Sequence, residues 1–233
     1  LGEIPYIILD ARYEKVRHGG QVIDCAVLIA MGINTVGKRE ILGVSVDLGE
    51  QEVHWRKFLQ SLVNRGLSGV RYIVSDAHSG LKAGKTAVFP SVPWQRCQFH
   101  LQQNAQSYVP KQRMKREVAL AIRAIFQAGS KEQAQELLAR FLKDYETKAP
   151  KLVEWAETAL PEGLTVFCLP EKHRQRMRTS NVVERTNKEI KRRTRVATLF
   201  PNEKSCLRLV SAILMEISEE WLTGKTYLNM QEE

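Results

Sequence analysis

The sequence has no long apolar run, no repetitive tract and few cysteines, and each absence excludes a class of protein. No apolar stretch reaches the roughly 20 residues that a membrane-spanning helix needs. The cysteines lie far apart and no secretory signal opens the chain, which favours a reducing compartment over a disulfide framework. We therefore expect a cytoplasmic protein with no membrane partner. Its cysteines are Cys25, Cys97, Cys168 and Cys206.

Acidic residues are also scarce relative to basic ones. The 233 residues contain 35 Lys plus Arg against 26 Asp plus Glu, a net charge of +9. Residues 171–195 hold ten Lys or Arg and three acids, which gives 10 − 3 = +7. A concentrated positive charge favours a polyanionic partner. Because the chain begins at Leu1 and not at Met, we expect a fragment of a longer protein.

Apolar periodicity predicts an α/β arrangement in the first hundred residues. Three strands, "IPYIILDARYEK", "QVIDCAVLIAMGI" and "REILGVSVDLG", form an antiparallel meander, since "NTVGK" supplies turn residues between the last two. A helix over "GEQEVHWRKFLQSLVNRG" precedes the strand "VRYIVSD". A glycine-weakened helix, "HSGLKAGKTAVF", and a short strand, "SVPWQRCQF", complete the order βββαβαβ.

Helical periodicity replaces the strand pattern as far as residue 160. Three helices are predicted, around Val118–Ile125, Leu137–Tyr145 and Leu152–Ala159. The segment "EKHRQRMRTS" is interpreted as a polar, basic loop. A basic helix begins after Thr179 or Ser180 as its N-cap, and an amphipathic helix over "FPNEKSCLRLVSAILMEISEEWL" closes the chain.

Two acids end predicted strands that are expected to be neighbours. Asp10 ends the apolar run of the first strand and Asp76 ends the fourth strand, and short right-handed connections place these strands side by side. Adjacent carboxylates either raise a pKa or bind a cation, and carboxylate oxygens select Mg²⁺ or Mn²⁺. Each acid alone is equally explained as a strand-end or N-cap residue.

Glu184 on the basic helix can supply a third carboxylate. Asn181 and Asn187 flank it at i−3 and i+3, where they can orient a ligand or bind phosphate. Two metal ions about 4 Å apart would activate an attacking oxygen and stabilise a leaving one. Alternatively, Glu184 is an ordinary first-turn acid and the cations form a solvated face. The predicted phosphate contacts are Arg185, Lys188, Lys191, Arg192 and Arg193.

The motifs "ILDARYEKVR", "VSDAHSGLK", "WQRCQFHLQQN" and "SNVVERTNKEIKRRTRVATLFPN", in this order, resemble the catalytic domain of Mutator-type bacterial insertion-sequence transposases. The resemblance implies an α/β, ribonuclease H-like fold. Its mixed five-stranded sheet is interrupted by an all-α insertion before the last catalytic helix. The implied segments are 1–100 and 166–233 for the core and 101–165 for the insertion. Asp10, Asp76 and Glu184 then bind two Mg²⁺ or Mn²⁺ ions.

The resemblance also singles out Cys97 and His100, a C-x-x-H signature. On its own this pair is half a zinc site, and a buried Cys with a capped His is the commoner outcome. In the family, His100 is a neighbour of the catalytic centre that can contact the scissile phosphate, and we do not expect a zinc ligand. A metal-free hydrolase built on the pair is disfavoured because a nucleophile and its base usually come from separate parts of a fold.

The function implied by the resemblance is metal-dependent DNA cleavage and strand transfer at insertion-sequence ends. The implied partner is double-stranded DNA, bound by a homodimer in the bacterial nucleoid. Family members usually carry a preceding region that reads the terminal repeats. Two alternatives stay open: a ribonuclease H-like nuclease that cleaves without joining, and a non-catalytic, transposase-derived DNA-binding protein that uses the basic helix alone.

Overall fold

The structure is a computed structural model that describes residues 1–231, and it divides into two compact units. The first unit combines Leu1–Pro93 with the chain from Ser180 onward, and the second is Trp94–Thr179. No helix within the described range is long and apolar enough to cross a membrane.

Within residues 1–231 the chain forms seven strands, five of which build one mixed sheet. The strands are β1 Gly2–Glu3, β2 Tyr6–His18, β3 Gln21–Ile33, β4 Arg39–Asp47, β5 Leu67–Ser68, β6 Tyr72–Ser75 and β7 Trp94–Arg96. The sheet order is β4-β3-β2-β6-β7, while β1 and β5 pair separately. Because β2, β3 and β4 are antiparallel and β6 runs parallel to β2, the predicted meander and the predicted strand neighbours are confirmed.

Strand β3 is apolar without alternation because both of its faces are covered. Every residue from Cys25 to Ile33 is buried, as in strands that pack on both sides. In β2 the burial is continuous only over Tyr6–Leu9 and then gives way to polar residues. Gly19 and Gly20 join the two strands with φ angles of 55° and 82°, the positive values that a two-residue hairpin turn requires.

The described part of the chain also forms nine α-helices. They are α1 Glu52–Asn64, α2 Ser79–Val88, α3 Gln98–Ala105, α4 Lys115–Phe126, α5 Lys131–Tyr145, α6 Pro150–Ala159, α7 Glu171–Met177, α8 Asn181–Thr194 and α9 Glu203–Thr223. The glycines of α2 permit close packing on α1: a Cβ at Gly84 would lie 2.7 Å from the Cβ of Trp55. A Cβ at Gly80 would lie 1.9 Å from the carbonyl oxygen of Glu50.

The second unit has an apolar core of its own. The helices predicted from periodicity are confirmed as α4, α5 and α6, and each turns its apolar face inward. Helix α3 adds Leu101 and Ala105 to this core. The other large buried side chains of this core are Val109, Val118, Ile122, Ile125, Phe126, Leu138, Phe141, Tyr145, Leu152, Leu160 and Leu164.

Two local predictions in the second unit are wrong. The segment expected to be a basic loop forms α7, which follows Pro170 and buries only His173 and Met177. Two buried residues in seven make too weak a periodicity to indicate a helix. The strand expected over "SVPWQRCQF" ends at Arg96, because the backbone turns at Cys97 to begin α3.

Candidate active site

Asp10 and Asp76 lie just beyond the paired positions of two neighbouring parallel strands. The register joins residues 66 positions apart and ends at Ile8 and Val74, since 74 − 8 = 66. Asp10 and Asp76 each follow this last pair by two residues: Asp10 lies within β2 and Asp76 is the first residue after β6, and paired strands are about 4.8 Å apart. The prediction that Asp10 ends its strand is wrong: β2 continues to His18 because β3 pairs with its whole length, and only β6 ends here.

Local hydrogen bonds hold Asp76 in the loop between β6 and α2. The backbone N–H of Ala77 donates to Oδ1 of Asp76 at 2.7 Å. The hydroxyl of Ser75 donates to the Asp76 carbonyl oxygen at 2.8 Å. These bonds hold the backbone at Asp76. The residue is half-buried, so its carboxylate keeps partial access to solvent.

Asp10 begins a polar stripe on one face of β2. Because alternate residues of a strand share a face, Asp10, Arg12 and Glu14 point the same way. Arg12 and Glu14 form an ion pair at 2.5 Å, with side chains only 13% and 12% exposed. Burial lowers the pKa of Arg12, and the negative charges of Glu14 and Asp10 partly oppose that shift. The stripe therefore holds one buried cation between two acids.

Helix α8 lies along this stripe and is joined to it by polar contacts. The side-chain amide of Asn187 donates to Oδ2 of Asp10 at 2.6 Å. Arg12 donates to the carbonyl oxygen of Asn187, also at 2.6 Å. Seven residues later, the hydroxyl of Thr194 donates to Glu14 at 3.2 Å. Two turns of one helix face are thus held on one face of β2.

Glu184 lies on the part of α8 that docks beside Asp10. It precedes Asn187 by three residues, which places the two side chains on neighbouring parts of one helix face. Its backbone N–H donates to the carbonyl oxygen of Ser180, so it occupies the first turn, where the helix dipole favours a carboxylate. Ser180 is confirmed as the N-cap residue. Glu184 is half-buried, as are both aspartates.

The two asparagines predicted to flank Glu184 have different surroundings. Asn181 is the first residue of α8 and is exposed. Asn187 is half-buried, and its Oδ1 is buried with no hydrogen-bond partner among residues 1–231. Asn187 therefore orients an acid in this structure, whereas Asn181 faces solvent.

The basic side chains of α8 form two groups. Arg192 and Arg193 converge on Glu189 at 2.7 Å each, and Arg193 also contacts Glu216. Hydrogen bonds from Arg192 and Arg193 lower the pKa of Glu189 to about 2. The other group is exposed and forms no ion pair in the described part of the chain; it consists of Arg185, Lys188 and Lys191.

Cys97 and His100 belong to the second unit. Cys97 is fully buried at the start of α3, which fits the packing interpretation of this cysteine. His100 is half-buried on α3, and its ring meets that of Phe99 edge-on at 5.4 Å between centroids. The contact of His100 with a scissile phosphate stays a prediction.

Sequence reasoning missed Arg12, Glu14 and Thr194 as residues that support the site. The signal for the strand residues is the alternation after the apolar run, in which positions 10, 12 and 14 are all charged. When another element covers a strand face that carries charged side chains, the covering element must supply polar groups to pair with them. Thr194 carries no comparable signal, because it is a single uncharged residue at the end of a helix and belongs to no charge pattern.

Comparison with known proteins gives consistent matches along the chain. The family model described as "Transposase, Mutator family" matches residues 2–224. The transposase for insertion sequence element IS406 of Burkholderia multivorans is 58% identical over 229 residues, which cover 98% of this chain and 59% of that protein.

More distant relatives match over the same extent. The transposase for element ISRM5 of Rhizobium meliloti is 41% identical, covering 97% of this chain and 57% of that protein. The transposase for element IS1081 of Mycobacterium tuberculosis is 36% identical, covering 99% and 55%. The chain therefore spans less than two thirds of the length of these relatives.

Proposed function

Because this chain belongs to the Mutator family of transposases, we propose that it is the catalytic part of an insertion-sequence transposase. In this proposal it cleaves DNA at the element's ends and joins them to a target, using Asp10, Asp76 and Glu184. One observation carries the assignment: the hydrogen bond from Asn187 to Asp10 docks the helix bearing Glu184 on β2, the strand that pairs with β6, after which Asp76 follows.

The three acids fit divalent metal ions by their chemistry. Carboxylate oxygens are the ligands that Mg²⁺ and Mn²⁺ prefer, and all three side chains are half-buried and so reach solvent. Two such ions, when bound, supply activation of the attacking oxygen and stabilisation of the leaving one. The protein's own contribution is to fix the acids, and Asn187 does so for Asp10.

The exposed cations of α8 would hold the DNA beside the acids. Arg185, Lys188 and Lys191 form no ion pair within residues 1–231 that a phosphate would have to displace, so they would meet phosphates directly. Arg192 and Arg193 would first have to exchange Glu189 for a phosphate, which makes them weaker contacts in our proposal.

The finer features of the family stay part of the proposal. They are a ribonuclease H-like core over 1–100 and 166–233, a helical insertion over 101–165, a role for His100 at the scissile phosphate, a homodimer on DNA, and a place in the bacterial nucleoid. The strand order and the helical second unit support the first two.

A plasmid-joining reaction tests the function. The protein is incubated with supercoiled plasmid and a labelled duplex with a free 3′-hydroxyl, in Mg²⁺, Mn²⁺ or EDTA. We expect metal-dependent joining that Asp10→Asn, Asp76→Asn and Glu184→Gln each abolish while DNA binding persists. Metal-dependent nicking without joining would favour the nuclease. The non-catalytic binder would be favoured by two results together. The variant that combines the three substitutions would bind DNA as well as the unsubstituted chain, and neither the unsubstituted chain nor a longer form of it would cut DNA.

A further inference from the structure

The second unit carries a basic surface to which the proposed chemistry gives no role. Between Gln106 and Phe126 the chain has five Lys or Arg and one acid, Glu117, a net of 5 − 1 = +4. This basic surface consists of Lys111, Arg113, Lys115, Arg116 and Arg123. All but the half-buried Lys115 are exposed.

The single acid of this segment, Glu117, forms no ion pair with the five bases within residues 1–231. The hydroxyl of Tyr145 donates to Glu117 at 2.8 Å, so this carboxylate already has a partner on α5. Burial and the bond to Glu117 raise the pKa of Tyr145, so the tyrosine stays a hydrogen-bond donor. None of the five basic side chains takes part in an ion pair within residues 1–231.

The neighbouring helices of the same unit are charged differently. Helix α5 carries three bases and three acids, a net of zero, and α6 carries one base and two acids, a net of −1. The positive charge of the unit is thus not spread over all its helices. A solvated helix face usually intersperses its charges, as α5 does.

The spacing on α4 suits a run of phosphates. Arg116, Leu120 and Arg123 follow one another at i, i+4 and i+7, so they share the face opposite the buried Val118 and Ile122. Seven residues of helix extend about 10 Å. A DNA strand carries one phosphate per roughly 3.4 Å of helix axis, so this face spans about three phosphates. The lone exposed Leu120 is too small a patch to indicate an apolar partner.

We propose that this basic surface is a second DNA-contacting surface, separate from α8, that binds the phosphate backbone without reading sequence. The inference rests on the proposed function for its choice of polyanion. In this proposal the second unit binds the DNA duplex, whereas the cations of α8 bind the phosphates beside the bond that is cleaved.

The test is the salt dependence of duplex binding in EDTA, where no cleavage occurs. Fluorescence anisotropy with a 30-base-pair duplex would compare the unsubstituted chain, Arg113→Gln/Arg116→Gln/Arg123→Gln, and the matched control Lys131→Gln/Arg140→Gln/Lys143→Gln on α5. Each variant loses three positive charges. The slope of log K against log salt is negative, and we expect it to become less negative by about 2 to 3 in the first variant and by less than about 1 in the control.

Equal slopes in the two variants would overturn the proposal, because net charge and not position would then govern binding. Absence of duplex binding by the unsubstituted chain would overturn it too. Circular dichroism on both variants checks that the helices persist, which glutamine favours. Failure of the proposed function would give a different result. Duplex binding and its salt dependence would be as expected, but no metal ion would support cleavage in the plasmid assay.

Discussion

Helix α8 carries two glutamates five residues apart, and the two halves of the helix to which they belong are built differently. Glu184 is half-buried on the half that Asn187 and Arg12 hold against β2. Glu189 lies between Arg192 and Arg193, whose hydrogen bonds lower its pKa to about 2. The second arrangement neutralises surface charge, whereas the first places Glu184 one helical turn from Asn187, the residue that is hydrogen-bonded to Asp10. An acid in a basic helix therefore has two distinct explanations, and each glutamate illustrates one.

The largest expected effect separates the two glutamates by activity. Glu184→Gln should lower the rate of metal-dependent plasmid nicking by at least about 10³-fold, because one of the three proposed metal ligands is lost. Glu189→Gln removes the same charge from the same helix and should change the rate by less than about 3-fold. Equal losses of nicking rate in the two variants would show that the two glutamates do not differ in function.

The next effect concerns the buried contact that docks the first half of α8. Arg12→Leu removes the bond to the Asn187 carbonyl and leaves Glu14 buried without its cation, so the free energy of unfolding should fall by about 3 kcal/mol. The control is Lys15→Gln, on the same strand. Lys15 pairs with Asp24 at 3.9 Å, and both side chains are more than 60% exposed. Urea unfolding of both variants provides the comparison, and a loss of similar size in each would contradict the account.

A smaller effect is expected from the asparagine that orients Asp10. Asn187→Ala should lower nicking activity by about 10- to 100-fold and raise the Mn²⁺ concentration needed for half-maximal rate, because a residue that supports a metal ligand is lost. Asn181→Ala, at the exposed start of the same helix, should leave the Mn²⁺ concentration for half-maximal rate unchanged, because Asn181 makes no hydrogen bond to Asp10 among the described residues. A rate loss for Asn187→Ala with no change in Mn²⁺ dependence would argue against a positioning role.

The smallest effect is a pH dependence of stability from the second half of α8. The pKa of Glu189 in the folded chain is about 2, below its ordinary 4.5. Its contribution to stability is therefore fully present above about pH 4.5 and is lost as the pH falls through 2. Glu189→Gln should flatten the fall of the urea midpoint between pH 5.5 and 3. An unchanged profile would contradict the assignment; Glu219→Gln, exposed on α9, is the control.

Much of the first unit follows from patterns in the sequence. The β2, β3 and β4 segments are continuous or alternating apolar runs between turn residues, and the structure forms them at nearly the predicted positions. The pairing of β2 with β6 follows from the handedness of short connections. These features depend on local patterns and on few topological choices, which is why they could be predicted.

The support of the site could not be predicted, because it depends on contacts between distant segments. Asp10 and Asn187 are 177 residues apart in sequence, and nothing in either motif indicates that one amide would bond to that carboxylate. Helix α7 was beyond prediction for another reason. It buries only His173 and Met177, so tertiary packing and the preceding Pro170, not periodicity, decide its conformation.

The central claim is that Asp10, Asp76 and Glu184 bind the same metal ions. Its most direct test replaces Mg²⁺ with Fe²⁺ and adds ascorbate and peroxide, so that radicals formed at the ion cut the nearby polypeptide backbone. The account predicts fragments that end near residues 10, 76 and 184, all three lost together in excess Mg²⁺ and in Glu184→Gln. Cuts confined to other segments, or cuts at one acid that persist in Glu184→Gln, would contradict it.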